Sequence, residues 1–193
     1  MEHFLKLSKN FNFTQDINSM LGRFAVIPIE KEIFFSLNKI PYWQDLNGGF
    51  ERARFFHETC HRECDEIIKR LKVIQSSLID DGSNIIIKRI IAHNFIPSNL
   101  WLLRIKSNTF IDAHTDDNEV TINIGLKNSK IGNITFSDSY NSTLETFWKN
   151  PTNEFKMQDG DVFALNVEQL HSVSTAKLDN ITFRYIISYN LRN

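Results

Sequence analysis

Ile181-Thr182-Phe183-Arg184-Tyr185-Ile186-Ile187-Ser188-Tyr189 is a run of β-branched and aromatic residues broken once by an arginine. Side chains of this kind suit a pleated strand, and a strand sends alternate residues to opposite faces. Phe183, Tyr185, Ile187 and Tyr189 make one face; Thr182, Arg184, Ile186 and Ser188 make the other. A guanidinium turned into a β interior must be paired, because an unpaired buried charge is costly. The run therefore predicts a β-rich core with an anion-binding position inside it. The competing reading sets Arg184 on an edge strand facing water.

Upstream, as far as Gly82, similar runs recur: Ile85 to Ile91, Leu100 to Ile105, Phe110 to His114, Val120 to Leu126, Asn133 to Phe136, Thr143 to Trp148, Glu154 to Met157, Val162 to Val167 and His171 to Thr175. Turn signals such as Gln158-Asp159-Gly160-Asp161 and Leu178-Asp179-Asn180 separate them. Many short strands without intervening helices predict an α+β, mainly β protein with a double-stranded β-helix (jelly-roll, cupin-like) core. Before Gly82 the texture differs. Phe56, Cys60, Cys64, Ile67, Leu71, Ile74 and Leu78 recur at three- and four-residue spacing, which predicts one long supporting helix from Phe50 to about Leu78. Asp80-Asp81-Gly82-Ser83 ends it, since glycine accepts the left-handed conformation after a helix. Residues 1 to about 50 read as short mixed elements. The expected organisation is a single domain over 1–193, with 1–82 a mixed and helical support region and 83–193 the jelly-roll catalytic core.

The chain has 193 residues, 41% hydrophobic and 23% charged, enough for one well-buried domain. Lys+Arg 22 against Asp+Glu 23 gives a formal charge of -1, which removes any global electrostatic case for nucleic acid. Met1-Glu2-His3-Phe4-Leu5-Lys6 is not a basic segment leading into an apolar stretch, and no apolar run is long enough to cross a bilayer. A cytoplasmic protein without a membrane partner is expected. Cys60 and Cys64 are the two cysteines. They read as small buried side chains on a helix face, with a redox pair as the alternative and no disulfide framework.

His114-Thr115-Asp116 ends one strand-like run, and His171 opens a late one. Residues two apart on a strand share a face, so His114 and Asp116 can both point inward, and a closed two-sheet topology would bring His171 to them. Two imidazoles and one carboxylate bind one face of Fe(II) and leave the opposite positions open for O₂ and an organic acid. Asp117 follows Asp116 directly; alternation favours Asp116, whereas a local bulge would exchange the two. A rival motif, His57-Glu58-Thr59-Cys60-His61, spells the His-Glu-x-x-His of zinc metallopeptidases. It lacks a third ligand. Arg62-Glu63-Cys64-Asp65 offers neither glycine nor histidine, and Asp80 and Asp81 are poor stand-ins for a downstream glutamate. A histidine-bearing flank of the scaffold helix is the expected role.

Leu103 to Asp116, Gly160-Asp161-Val162-Phe163, Leu170-His171-Ser172-Val173 and Phe183-Arg184 together resemble the Fe(II)/2-oxoglutarate-dependent dioxygenase superfamily, in its prolyl-hydroxylase-like and amino-acid-hydroxylase branches. The resemblance covers about the C-terminal half of the chain. It implies iron on His114, Asp116 and His171, and the distal carboxylate of 2-oxoglutarate on Arg184. Ile105 stands where such proteins often have a tyrosine, and Thr121, Asn123 or Ser188 is the expected replacement in cosubstrate binding. Asn108 stands where a turn glycine is common, a position asparagine tolerates. The implied reaction is hydroxylation of an unactivated C–H of a small molecule, free amino acid or peptide residue, using Fe(II), O₂ and 2-oxoglutarate, with ascorbate a candidate reductant. The alternative class is a non-catalytic jelly-roll module that binds a ligand. Trp101, Tyr140, Phe147 and Trp148 are candidates for the entrance, and Ser137 to Pro151 for a lid.

Overall fold

Alternation along the strands creates two buried faces on one sheet, and those faces have different chemistry. The computed structural model describes residues 4–6, 44–47, 49–54, 61–139 and 141–192. Its strands are β1 (Phe4–Lys6), β2 (Gln44–Asn47), β3 (Phe50–Arg54), β4 (Leu100–Lys106), β5 (Phe110–His114), β6 (Val120–Lys127), β7 (Gly132–Ser137), β8 (Thr152–Lys156), β9 (Val162–Asn166), β10 (His171–Thr175) and β11 (Phe183–Leu191). The helices are α1 (His61–Ser77) and α2 (Ile85–Ala92). A seven-stranded sheet runs β1-β9-β6-β11-β4-β3-β2 and a four-stranded sheet runs β5-β10-β7-β8. Neighbouring strands are antiparallel throughout, for example Arg184 opposite Ile105 and Ser188 opposite Asn123. This is the expected mainly β double-stranded β-helix with helical support.

On the outer face of the large sheet, Val120, Ile122 and Ile124 of β6 and Ile187, Tyr189 and Leu191 of β11 pack with Cys64, Ile67, Leu71 and Ile74 of α1 and Ile86 and Ile90 of α2. Between the sheets, Ile105, Ile134, Phe136, Phe155, Phe163, Val173 and Ile186 form a second cluster. The helices thus keep water off one face while the other lines an interior. Helix α2 is tied at both ends. Asn84 caps its start by accepting from the Ile86 and Ile87 backbone N–H groups, and Gln75 of α1 donates to the Ile90 and His93 carbonyls at 2.6 and 2.7 Å. Those contacts satisfy donors and acceptors that a helix end leaves open.

Three expected elements differ. Ile85 to Ile91 is a helix rather than a strand: the Asn84 cap and the four-residue step from Ile86 to Ile90 outweigh the β-branched propensity. The described long helix is His61–Ser77 and does not reach back to Phe50. Phe50–Arg54 is a strand on β4, with Phe50 opposite Ile105 and Arg52 opposite Leu103, so strands from before residue 83 extend the large sheet. Thr143 to Trp148 is not a strand but a turn followed by a short 3-10 helix, Phe147–Lys149. The Thr146 hydroxyl accepts from the Thr143 N–H at 2.9 Å, a local bond that competes with a sheet ladder. The turn expectations hold better: Gly82 has φ +78° and Asn108 φ +62°. His57, Glu58, Cys60 and Tyr140 lie outside the described residues, while Cys64 is buried. Among the described residues no helix is long and apolar enough to cross a membrane.

Ile90 is fully buried and Ile85 is 38% exposed. Ile90→Ala is therefore expected to lower unfolding free energy by about 2–4 kcal/mol, and Ile85→Ala by less than about 1 kcal/mol, as read from urea denaturation of each variant.

Candidate metal centre and its cavity

Strands β5 and β10 lie side by side with His114 directly opposite His171, and their ring centroids are 4.4 Å apart. Asp116 stands two residues beyond the end of β5. Its backbone N–H donates to the Val167 carbonyl at 3.0 Å, which holds the loop against the exit of β9. His114 Nε2 lies 3.7 Å from Asp116 Oδ1. One ligand atom from each of His114, Asp116 and His171 falls within 4.8 Å of the other two, and among the described residues no other His, Cys, Asp and Glu group of three or more does this. Asp117 lines the same cavity but is not in that group.

Hydrogen bonds set the tautomer of both rings. Nδ1 of His114 is 2.7 Å from the Asp112 carbonyl, and Nδ1 of His171 is 2.9 Å from the Gln169 carbonyl. A carbonyl can only accept, so each Nδ1 carries the proton and donates. In the neutral ring the Nε2 lone pair is then available to a metal, the arrangement expected when an outer contact orients a ligating imidazole. His171 is 4% exposed. Burial pushes its pKa below the ordinary histidine value, against the opposing pull of the Asp116 charge and the Gln169 hydrogen bond, and this favours the neutral form.

Arg184 is 1% exposed. Burial lowers its pKa from the ordinary guanidinium value to about 10, with the charge of Asp159 acting in the other direction. Its Nε has no hydrogen-bond partner. The guanidinium fits there because position 132 is glycine: a Cβ on Gly132 would stand 2.0 Å from Nη1 and 2.6 Å from Cζ. Gly132 pairs with Thr175, at the far end of β10 from His171. Four residue steps along the strand separate those levels, roughly 13 Å. A cavity of about 440 Å³ joins them, lined by His114, Asp116 and His171 and by Arg184.

Thr121, Asn123 and Ser188 also line this cavity, but in different circumstances. The Asn123 side-chain carbonyl is buried without a partner. The hydroxyls of Thr121 and Ser188 both donate to Asn190 Oδ1 at 3.3 Å. That leaves the Asn190 amide N–H groups as the donors on offer. Asn190, Arg52, Asn118 and Arg192 are cavity residues that the sequence reading omits. The β11 alternation of Arg184, Ile186 and Ser188 passes through Asn190 and Arg192 when followed beyond Tyr189; Arg52 is hidden by its assignment to a helix. Trp101 lines the cavity, with the Arg52 guanidinium 4.6 Å from its ring centroid. Phe147 is fully buried and Trp148 donates to Asp112. No described residue from 137 to 151 lines the cavity.

Two antiparallel sheets, a three-residue cluster at the end of the smaller one and an inward arginine on the larger one define a double-stranded β-helix as the fold class. No family model and no curated protein matches the chain. Among solved structures, it is similar to the non-heme alpha ketoglutarate dependent epimerase SnoN from nogalamycin biosynthesis, at 11% identity and TM-score 0.55 over 97% of this chain and 77% of that one. SnoN is also known in complex with Fe3+, alpha ketoglutarate and nogalamycin RO, and that structure aligns with TM-score 0.54. A Pseudomonas putida prolyl-4-hydroxylase aligns at 10% identity and TM-score 0.50 over 100% of this chain and 91% of that one. Against a Burkholderia pseudomallei oxidoreductase of the 2OG-Fe(II) oxygenase family, with 16% identity and TM-score 0.43, the match covers 77% of this chain and 62% of that one. At such identities the likeness is one of fold.

Gly132→Ala is expected to destabilise the protein by about 1–3 kcal/mol through overpacking against Arg184. In an Arg184→Ala background the same change should cost less than about 0.5 kcal/mol, and a double-mutant cycle in urea measures the coupling.

Proposed function

We propose that the protein is a single-domain, cytoplasmic Fe(II)- and 2-oxoglutarate-dependent oxygenase that hydroxylates an unactivated C–H of a small molecule, free amino acid or peptide residue. The observation that carries this is the sharing of one cavity by a two-histidine, one-carboxylate cluster and a buried guanidinium whose Nε lacks a partner. Bound Fe(II), 2-oxoglutarate and O₂ supply the oxidising power, the cosubstrate leaving as succinate and CO₂, with ascorbate a candidate reductant.

The residues fit those groups. His114 and His171 present neutral Nε2 atoms and Asp116 a carboxylate, a donor set suited to non-heme Fe(II) with open positions. Arg184 would take the distal carboxylate through charge-assisted hydrogen bonds, which its planar fork makes well directed. Asn123 stands on the cavity wall as a further cosubstrate contact, and Thr121 and Ser188 act by orienting Asn190. Ile105, Ile134, Val173 and Ile186 line the cavity as apolar wall and keep water from the reacting atoms. The SnoN complex supports the cofactor pair, since the same fold holds Fe3+ and alpha ketoglutarate there. The epimerase and the prolyl-4-hydroxylase also show that one fold serves different outcomes, so hydroxylation is supported by the resemblance in the ligand and arginine segments rather than by the fold.

Anaerobic Fe(II) plus 2-oxoglutarate is expected to produce a weak visible charge-transfer band. His171→Ala and Asp116→Ala should lose the band, stoichiometric iron and succinate formation; turnover retained in either variant would remove that residue from the ligand set. Arg184→Met should raise the 2-oxoglutarate concentration for half-maximal band roughly 30-fold, as loss of about 2 kcal/mol of charged hydrogen bonding requires. A folded protein that binds no iron, or binds it without the band, would instead be a non-catalytic binding module.

A further inference from the structure

We infer that the substrate bears a carboxylate, held at the cavity by Arg192. The inference rests on the oxygenase reading and adds the substrate class to it. Arg192 lines the cavity two strand positions beyond Asn190. It is fixed rather than frayed: its neighbour Leu191 is 3% exposed in the outer core, and the Leu191 carbonyl accepts from the Glu119 N–H. Asn118 is only 7% exposed, yet its side-chain oxygen accepts from Arg192 Nε at 2.7 Å. A buried amide thus holds the inner nitrogen of the guanidinium and leaves the two Nη groups, the edge that meets a carboxylate in bidentate fashion. Among the described residues no carboxylate lies within ion-pair distance of Arg192.

Charge balance points the same way. Three arginines (Arg52, Arg184, Arg192) and two aspartates (Asp116, Asp117) line the cavity. A divalent metal and a doubly negative cosubstrate would cancel each other, so neither supplies a counter-ion to Arg192. Arg184 lies at the far end from the metal cluster and is taken by the cosubstrate. Arg192 is then the cavity guanidinium for which no described carboxylate lies within ion-pair distance. Arg52 stacks on Trp101, giving a flat cationic wall for the body of the ligand, while Arg192 presents a hydrogen-bonding fork. Arg192 is itself exposed at the cavity wall, and a matched anion is favoured there over its neutral analogue, which cannot take two charge-assisted hydrogen bonds from the Nη edge.

The test uses the full chain loaded with Zn(II) and 2-oxoglutarate, which cannot turn over, and isothermal titration calorimetry. Binding of 2-oxoglutarate is measured first. A panel of free amino acids, N-acetyl amino acids and C5 to C10 carboxylic acids is then titrated, each beside its own primary amide. At least one acid is expected to bind tenfold or more tightly than its amide, with Arg192→Gln bringing the acid to within threefold of the amide. If 2-oxoglutarate fails to bind, the oxygenase reading falls. If it binds but no acid in the panel binds, amides match their acids, or Arg192→Gln keeps the acid preference, the carboxylate assignment falls. The matched pairs on unmodified protein decide the question even if Arg192→Gln does not fold.

Discussion

A fully buried guanidinium with an unpartnered Nε governs this interior. Moving such a charge out of water costs several kcal/mol even after relaxation, and the depressed pKa of Arg184, about 10, expresses that cost. Among the described residues no close carboxylate meets it: Asp159 contributes its charge but spends its Oδ1 on the Ser129 N–H at 2.7 Å. Gly132 supplies only space. An interior anion is the natural complement, so a bound dicarboxylate would stabilise the folded state by mass action as well as react in it. The anchor is in this sense an unfinished piece of the core.

That strain is tolerable because the large sheet separates its two faces so completely. Each of β4, β6, β9 and β11 alternates between the helix-covered outer cluster and the cavity. The outer face carries the hydrophobic stabilisation, through Ile86, Ile90, Leu71, Ile122, Ile187 and their neighbours. The inner face can then hold Thr121, Asn123, Arg184, Ser188 and Asn190 without unmaking the fold. A one-residue slip of β11 would exchange the two sets, placing Arg184 among isoleucines and Ile187 in the cavity. Two partners oppose such a slip, because β11 is paired along its length with both β4 and β6.

Legibility in the sequence followed this division. Where strand period and residue chemistry agreed, as at Phe110–His114, His171–Thr175 and Phe183 to Tyr189, both the element and the inward side chains could be read. His114, His171 and Arg184 came from that agreement, whereas Asp116 lies beyond the end of β5 and is placed by its backbone bond to Val167 rather than by strand alternation. Ile85–Ala92 could not be read as easily, since a short isoleucine-rich segment satisfies strand propensity while its helix depends on one cap and on partners from α1. Phe50–Arg54 was hidden for a related reason: Phe50 and Arg52 enter a sheet whose other strands lie far along the chain. Thr121 and Ser188 were legible as inward hydroxyls, but their common acceptor, Asn190, is a matter of three-dimensional contact.

The two ends of the cavity are positioned by different means, and this bears on how the site can vary. Both histidines are oriented by backbone carbonyls two residues earlier, Asp112 and Gln169, and Asp116 is placed by its own backbone bond to Val167. Backbone partners are set by strand path and turn geometry, not by the identity of neighbouring side chains. Arg184, by contrast, depends on one absent side chain, that of Gly132, and on apolar walls. Replacement of residues near the cluster, such as Arg52, Asn118 and Arg192, can thus alter the cavity wall while the geometry of the proposed ligands persists. Replacement around Arg184 reaches the proposed anion anchor directly. Variation in what the site accepts is therefore expected at the ends of β3 and β11, where side chains line the cavity without orienting the proposed metal ligands.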